Sequence, residues 1–160
     1  MTDTRIIHDD DPRYLLFRVG GELYGTPLLG IREVVEPQTP KPIPNTVSFF
    51  SGVINLRGQV VGVLDLRRRF GHDTQFHTGM ALMVFETEAG PLGALVDEIE
   101  CVAQIPPEQV DNRPPVRTNV PVDYLLGIGK QEGRLVSLID LNRILGTEEL
   151  KAVTGLEGIR

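Results

Sequence analysis

Residues 52–71 of the chain read GVINLRGQVVGVLDLRRRFG, and residues 127–146 repeat the pattern as GIGKQEGRLVSLIDLNRILG. The two stretches align without a gap and keep apolar character at several of the remaining positions. The identical pairs are Gly52/Gly127, Gly58/Gly133, Val61/Val136, Asp65/Asp140, Leu66/Leu141, Arg68/Arg143 and Gly71/Gly146. This agreement predicts that the chain contains two homologous units.

The repeat continues more weakly in the residues that precede these stretches. Each unit also has a proline-rich segment at the same place, at 37–44 and at 105–115. The aligned pairs are Leu16/Val84, Phe17/Phe85, Gly25/Gly93, Leu28/Val96, Ile31/Ile99 and Val34/Val102. We therefore predict a single domain over residues 14–146, with one lobe at about 14–71 and a second at about 80–146. Residues 1–13 are predicted to form a flexible tail and residues 147–160 a C-terminal helix or tail.

Each unit contains five short apolar segments separated by turn signals. The predicted strands are 14–19, 22–27, 32–36, 52–56 and 60–64, then 80–86, 91–96, 100–104, 125–128 and 134–139. Gly20-Gly21 and Arg57-Gly58 are typical of tight hairpin turns. Short strands in such small units favour closure into small barrels, which hides the strand edges. The predicted fold class is all-β.

Each unit also ends with the pattern Asp-Leu-x-Arg-x-apolar-Gly. Asp65 and Asp140 stand where a helix N-cap accepts hydrogen bonds from free backbone N–H groups. Gly71 and Gly146 stand where a left-handed C-cap belongs. The capping role explains both aspartates without catalysis, and a short capped helix is predicted after the last strand of each lobe.

The composition is ordinary for a folded chain, with 41% apolar and 24% charged residues. The 22 acidic and 16 basic residues give a net charge of −6, which argues against a general nucleic-acid binder. The N-terminal segment is polar and acidic, unlike a signal peptide, and no apolar run approaches the roughly 20 residues that span a bilayer. We expect the protein in the cytoplasm, with any membrane link made through a partner.

Side chains that carry enzyme or metal chemistry are few and scattered. His8, His72 and His77 lie in tail and linker segments without the spacing of zinc sites, and are predicted to be solvated. Cys101 lies in an apolar strand segment and is predicted to be a buried structural thiol. Phosphate-binding loops and nucleophile elbows are absent from the sequence. We expect no catalytic residue, no metal site and no cofactor.

Two charged groups have more than one interpretation. The acidic cluster of Asp97, Glu98 and Glu100 fits either a solvated turn or a docking surface for basic residues. In the basic run 67–69, Arg68 recurs as Arg143 and is predicted to be structural. The neighbouring Arg67 and Arg69 are predicted to lie on a solvated helix face rather than in a binding site.

Residues 45–70, NTVSFFSGVINLRGQVVGVLDLRRRF, closely resemble the signature of CheW-like domains. The segments 16–25 (LFRVGGELYG), 31–34 (IREV), 125–129 (LLGIG) and 134–141 (RLVSLIDL) resemble the same family. The resemblance covers about residues 14–146. It implies two five-stranded SH3-like barrel lobes and a non-enzymatic adaptor. Its implied partners are the regulatory domain of the histidine kinase CheA and the cytoplasmic tip of a chemoreceptor.

The resemblance also implies site residues. Arg57 matches the arginine that the family uses at the receptor contact, and its place at a predicted hairpin tip indicates exposure. Ile31 and Glu33 match positions beside the same groove, and Val53 is a candidate apolar contact. Core packing is the alternative for Ile31 and Val53. The candidate kinase-binding residues are Gly93, in a second-unit strand, and Arg113, in the second proline-rich segment.

Other functions remain open at this point. A CheW-like adaptor of a non-flagellar pathway, with surface-motility or second-messenger output, would share the fold and differ in its partners. An enzyme would need a polar pocket with convergent ionisable groups, and the sequence offers no such set. A module for proline-rich peptides would need an aromatic-lined groove, whereas only 6% of residues are aromatic.

Overall fold

The computed structural model describes residues 11–44, 48–72, 75–88, 90–112 and 124–144. The strands within these ranges are β1 (Arg13–Val19), β2 (Glu22–Pro27), β3 (Ile31–Val35), β4 (Phe50–Leu56), β5 (Gln59–Asp65), β6 (Ala81–Thr87), β7 (Gly90–Val96), β8 (Glu98–Gln104), β9 (Val110–Asp111), β10 (Leu125–Gln131) and β11 (Arg134–Ile139). Helix α1 spans Leu66–Arg69, and short 3-10 helices lie at Leu28–Gly30, Pro107–Gln109 and Leu141–Arg143.

The all-β prediction is confirmed, because every predicted strand is present with its ends shifted by a few residues. The additional strand, β9, has two residues and follows directly on a 3-10 helix that begins at Pro107. So short a strand is defined by its pairing with β10 rather than by an apolar pattern of its own. Residues 1–10 of the predicted N-terminal tail and the whole predicted C-terminal segment 147–160 lie outside the described residues, and Arg13 already belongs to β1.

The strands form a six-stranded sheet with the order β8-β1-β2-β11-β10-β9 and a five-stranded sheet with the order β3-β6-β7-β5-β4. Each sheet therefore draws strands from both sequence units. The first-unit hairpin β1–β2 pairs with β8 and β11, and the second-unit hairpin β6–β7 pairs with β3 and β5. The predicted lobes, contiguous at 14–71 and 80–146, are thus corrected: the units exchange their first hairpins.

Both sheets curl toward closed, SH3-like barrel lobes. In the five-stranded lobe the chain that leaves β3 returns to the far edge, where Lys41 and Val53 exchange backbone hydrogen bonds of 2.8 and 2.9 Å. In the six-stranded lobe the chain that leaves β8 continues into β9 and pairs with β10 in the equivalent place. Closure of this kind leaves few unpaired strand edges.

The alternating side chains of the strands supply three apolar clusters. One fills the interior of the six-stranded lobe and includes Leu16 and Val136, and a second fills the five-stranded lobe and includes Val61 and Val84. The largest lies between the lobes and takes residues from both sheets, among them Phe17 of β1. Because successive strand residues point to opposite faces, Leu16 and Phe17 serve different clusters. The shared cluster joins the two lobes into one body.

The predicted capping residues occupy their expected places. The Asp65 carboxylate accepts the Arg67 backbone N–H at 3.0 Å, and Asp140 accepts the Asn142 N–H at 3.0 Å. Gly71 has a φ of 82°, and the N–H groups of Gly71 and His72 donate to the carbonyls of Arg68 and Arg67 at 3.1 and 2.7 Å. This is the Schellman arrangement of a glycine C-cap. The element after Asp140 is a 3-10 turn rather than an α-helix, and Gly146 lies outside the described residues.

Candidate functional site

Arg57 lies at the tip of the β4–β5 hairpin, as its position before Gly58 predicts. The two tip residues have φ values of 51° and 86°. A type I′ turn requires a positive φ at both of its central positions. The Asn55 side chain accepts the Gly58 N–H at 2.8 Å and holds the turn. The Arg57 side chain is 63% exposed. The hairpin thus projects a cation from a well-defined turn.

Glu33 is the ion-pair partner of Arg57, although the two residues are 24 positions apart in the chain. The Glu33 carboxylate also lies 3.6 Å from Arg32, which in turn contacts Glu86 at 3.1 Å and Gln59 at 3.3 Å. Exposed ion pairs contribute only about 0–1 kcal/mol each. The network therefore orients the Arg57 guanidinium more than it stabilises the fold.

Ile31 and Val53 are half-buried apolar residues on the two strands that lead to Glu33 and to Arg57. Ile31 begins β3, two residues before Glu33, and Val53 lies in β4, four residues before Arg57. Both pack against the cluster between the lobes. The core interpretation therefore accounts for the buried part of these side chains, and the contact interpretation stays a prediction. We call Ile31, Glu33, Val53 and Arg57 the tip surface.

The repeat places a counterpart of the tip surface on the six-stranded lobe, with different charges. Glu132 occupies the place of Arg57, with the same left-handed backbone at a φ of 52°. Cys101 stands where the first unit has Glu33, and it is exposed, which corrects the prediction of a buried thiol. The central ion of this network is Glu100, bound by Arg18 at 2.9 Å and by Arg134 at 2.8 Å. Glu100 aligns with Arg32 of the five-stranded lobe. The residue at the centre of the network is therefore an anion in one lobe and a cation in the other.

The acidic cluster is consequently not a simple solvated turn. Burial opposes ionisation of Glu100, but hydrogen bonds from Arg134 and Arg18 outweigh it and lower the pKa of the carboxyl group. Asp97 accepts a hydrogen bond from His77 at 2.7 Å, which corrects the prediction that His77 is merely solvated. Both acids are occupied by cationic partners within this chain, which leaves Glu98 as the exposed member.

The kinase-binding candidates fall in very different places. Gly93 is buried in β7, which lies between β6 and β5 in the middle of its sheet. A Cβ at this position would come within 2.8 Å of Leu82, so the glycine lets that side chain pack against the strand. The structure thus gives Gly93 a packing role, and its assignment to the kinase contact stays a prediction. Arg113 lies outside the described residues, and its role stays a prediction.

Two of the three arginines after β5 were misassigned to a solvated face. Arg67 has only 3% of its side chain exposed and binds Asp65 through two nitrogens at 3.0 and 2.9 Å. Arg69 stacks between Phe49 and Tyr124, at 4.9 and 5.5 Å from the ring centroids. The second unit has Asn142 and Ile144 at the equivalent positions. This difference between the units was the sequence signal that Arg67 and Arg69 have a specific role.

Within the described ranges, no group of three or more His, Cys, Asp or Glu side chains is arranged to hold a metal ion. Among the same residues, no helix has the length and apolar character that crossing a bilayer demands.

Comparison with known proteins gives consistent matches across nearly the whole chain. The family model of the CheW-like domain matches residues 13–149. The chemotaxis protein CheW of Klebsiella aerogenes is 30% identical over 141 residues, covering 88% of this chain and 85% of that protein. The protein FrzA of Myxococcus xanthus is 28% identical over 152 residues, covering 89% of this chain and 91% of FrzA.

A solved structure gives the same result in three dimensions. The crystal structure of the scaffolding protein TtCheW from Thermoanaerobacter tengcongensis superposes with a TM-score of 0.78 at 28% sequence identity. The match covers 87% of this chain and 95% of that one.

Proposed function

The chain belongs to the CheW-like family, and on that premise we propose that it is a non-enzymatic adaptor coupling chemoreceptor tips to the regulatory domain of the histidine kinase CheA. The observation that carries the proposal is the tip surface, where a turn and an ion pair hold Arg57 outward and the strands that carry the pair also present half-buried Ile31 and Val53. An arginine beside an apolar centre is a common anchor of protein interfaces.

The receptor contact is assigned to Ile31, Glu33, Val53 and Arg57. Two of them supply apolar surface at the edge of the interlobe core, and two supply opposite charges that fix the orientation of a partner. Because Glu33 already neutralises Arg57, a partner that offers its own carboxylate competes for the guanidinium. Charged contacts of this kind contribute specificity and association rate more than affinity.

The kinase contact is assigned to a different part of the same body, and Arg113 remains its candidate residue. An adaptor transmits geometry only if its two contact surfaces keep a fixed relation. The apolar cluster shared by both lobes supports such rigidity. Weak individual contacts suffice in an array, since neighbouring contacts raise the effective concentration at every site. We place the protein in the cytoplasm, recruited to membrane-associated receptor arrays.

Charge reversal at the tip tests the receptor assignment. We expect Arg57→Glu to abolish receptor-dependent kinase activation in a reconstituted assay, because the variant places two carboxylates against each other at the tip surface. The matched control is Glu132→Arg, which reverses the charge at the equivalent turn of the other lobe. It should couple normally. Circular dichroism before and after heating checks that both variants fold.

Separate pull-downs complete the test. A receptor tip and the kinase regulatory domain are each offered to the wild type, to Arg57→Glu and to Glu132→Arg. Loss of receptor capture with retained kinase capture is expected for Arg57→Glu alone. Normal coupling by the charge-reversed tip would overturn the receptor site, and failure of the wild type to capture either partner would overturn the adaptor function.

A related pathway is the second candidate. FrzA of Myxococcus xanthus is about as similar to this chain as the scaffolding protein TtCheW, so similarity alone does not select the pathway. The same adaptor could serve a non-flagellar chemosensory system with surface-motility or second-messenger output. Co-purification of the native receptor and kinase distinguishes the two, since only the identity of the partners differs.

A further inference from the structure

Residues 75–80, which we call the strap, follow helix α1 and lead into β6. The Gln75 carbonyl accepts a hydrogen bond from Arg67 Nη1 at 2.5 Å, and the strap ends at Met80, which is buried. Between these points Phe76 leaves 67% of its surface exposed. A large apolar side chain is thus displayed from a segment that polar contacts hold in position.

Asp97 connects the strap to both lobes. It lies where the chain leaves β7 in the five-stranded lobe and enters β8 in the six-stranded lobe. Its Oδ2 accepts the backbone N–H of Gly20 at 2.7 Å, at the turn between β1 and β2. Its Oδ1 lies 2.7 Å from His77 Nε2 and 3.7 Å from Arg67 Nη1. One carboxylate therefore joins the strap, α1 and the β1–β2 turn.

The His77 ring faces a hydrogen-bond acceptor at each nitrogen. Nε2 meets the Asp97 carboxylate at 2.7 Å, and Nδ1 meets the Thr78 carbonyl oxygen at 2.9 Å. Neither partner has a proton to donate. A neutral imidazole carries one N–H and can satisfy only one of them, whereas an imidazolium donates to both. The geometry is that of the protonated ring.

We propose that His77 is a protonation-dependent latch. As an imidazolium it ties the strap to Asp97 at the junction of the lobes. As a neutral ring it gives up one of its two hydrogen bonds and the charge of its pair with Asp97, which weakens the attachment of the strap and Phe76 to the junction. The latch is independent of the adaptor function proposed above, since it uses no residue of the tip surface.

The charges around His77 come from two packed elements. Asp97 faces it from the β7–β8 turn, and Arg67 from α1, where Asp65 already compensates the guanidinium at 2.9 Å. His72, half-buried, packs against Gly20 on the same turn that Asp97 holds. The hydrogen bond to Asp97, followed by that to Thr78, raises the pKa of His77 above 6.5, against smaller opposing effects of burial and of Arg67.

The direction of the pH dependence follows from these shifts. His77 has a raised pKa in the folded protein, so its stabilising contribution is complete below pH 6.5 and disappears as the pH rises through the folded-state value. Burial of Asp97 opposes its ionisation, but the bonds from His77 and Gly20 prevail and lower its pKa below 3.8. The Asp97 contribution is lost only as the pH falls through that lower value. The latch is therefore closed at mildly acidic pH and opens as the pH rises through the raised pKa of His77.

Nuclear magnetic resonance of the full chain tests the latch. The His77 ring and the backbone amides of Gly20 and Phe76 are followed from about pH 5 to about pH 9, the range that brackets histidine titration. In the wild type we expect all three signals to share a midpoint above 6.5. His77→Gln, at a position 44% exposed, should leave the fold intact and remove the transition from both amides.

Two further variants make the test specific. In Asp97→Asn the His77 midpoint should fall back toward its ordinary value, because the carboxylate is gone. The matched control His72→Gln, beside the same turn, should keep the shared transition. A His77 midpoint at or below 6.5 would overturn the latch, and so would a raised midpoint that the Gly20 and Phe76 amides do not follow. If Asp97→Asn fails to fold, the comparison of wild type with His77→Gln still decides.

Discussion

Arg67 is a charged residue that this protein buries in its interior together with its ion-pair partner. Its guanidinium is almost fully buried, bound to the N-cap Asp65 of its own helix and to the carbonyl of Gln75. Removing one partner of a buried ion pair leaves the other charge uncompensated, which costs about 3–5 kcal/mol. Asp65 would keep the capping hydrogen bond from the backbone N–H of residue 67 but lose the guanidinium.

We accordingly expect Arg67→Met to lower the free energy of unfolding by about 3 kcal/mol. The control is Arg68→Met, because Arg68 is exposed and its hydrogen bond to the Ser48 carbonyl lies at the surface. That variant should stay within about 0.5 kcal/mol of the wild type. Urea denaturation followed by circular dichroism measures both, and equal losses would contradict the buried-pair interpretation.

At the scale of one element, the β4–β5 hairpin carries the proposed recognition residue in a strained backbone conformation. Arg57 adopts a left-handed φ of 51°, and the equivalent Glu132 a φ of 52°. A non-glycine residue in this region carries a backbone cost of roughly 1–2 kcal/mol, which asparagine tolerates best among side-chain-bearing residues. Neither arginine nor glutamate lowers this backbone cost, so the turn conformation does not explain the presence of either residue.

This gives a prediction that separates stability from coupling. Arg57→Asn relaxes the turn and loses an exposed ion pair, so its unfolding free energy should stay within about 1 kcal/mol of the wild type. Receptor-dependent kinase activation should nevertheless fall sharply. Glu132→Asn makes the same backbone change on the other lobe and should keep full activation. Coupling lost in both variants, or in neither, would argue against Arg57 as a recognition residue.

At the scale of the whole molecule, the exchange of hairpins between the units makes one cooperative body. Each lobe needs strands from both halves of the chain, including the parallel pairs β2–β11 and β5–β7. A chain cut between residues 74 and 75 would leave each half without the partners of its first hairpin. The apolar faces of β1 and β6 would then be exposed to water.

We expect the two fragments, residues 1–74 and 75–160, to be unfolded when alone and to recover the β-sheet circular dichroism spectrum when mixed. Contiguous lobes would behave differently, because each fragment would then fold without the other. Cooperative folding of either isolated fragment, detected as a sigmoidal thermal transition, would contradict the exchanged topology.

The amino-acid sequence by itself determined the features that depend on neighbours along the chain. Strand positions follow from apolar alternation, hairpin tips from Arg57-Gly58 and its repeat, and N-caps from Asp65 and Asp140, since each of these involves residues within a few positions of one another. The segment 45–70 carried the family resemblance, which indicated Arg57 as the tip residue. Only the tertiary structure decided which strands pair, that Glu33 binds Arg57, that Arg67 is buried and that His77 binds Asp97. The physical reason is that contiguous and exchanged lobes satisfy the same apolar pattern of strands. The burial of a charged side chain and its partner at a distant place in the chain leave no periodic signal in the sequence.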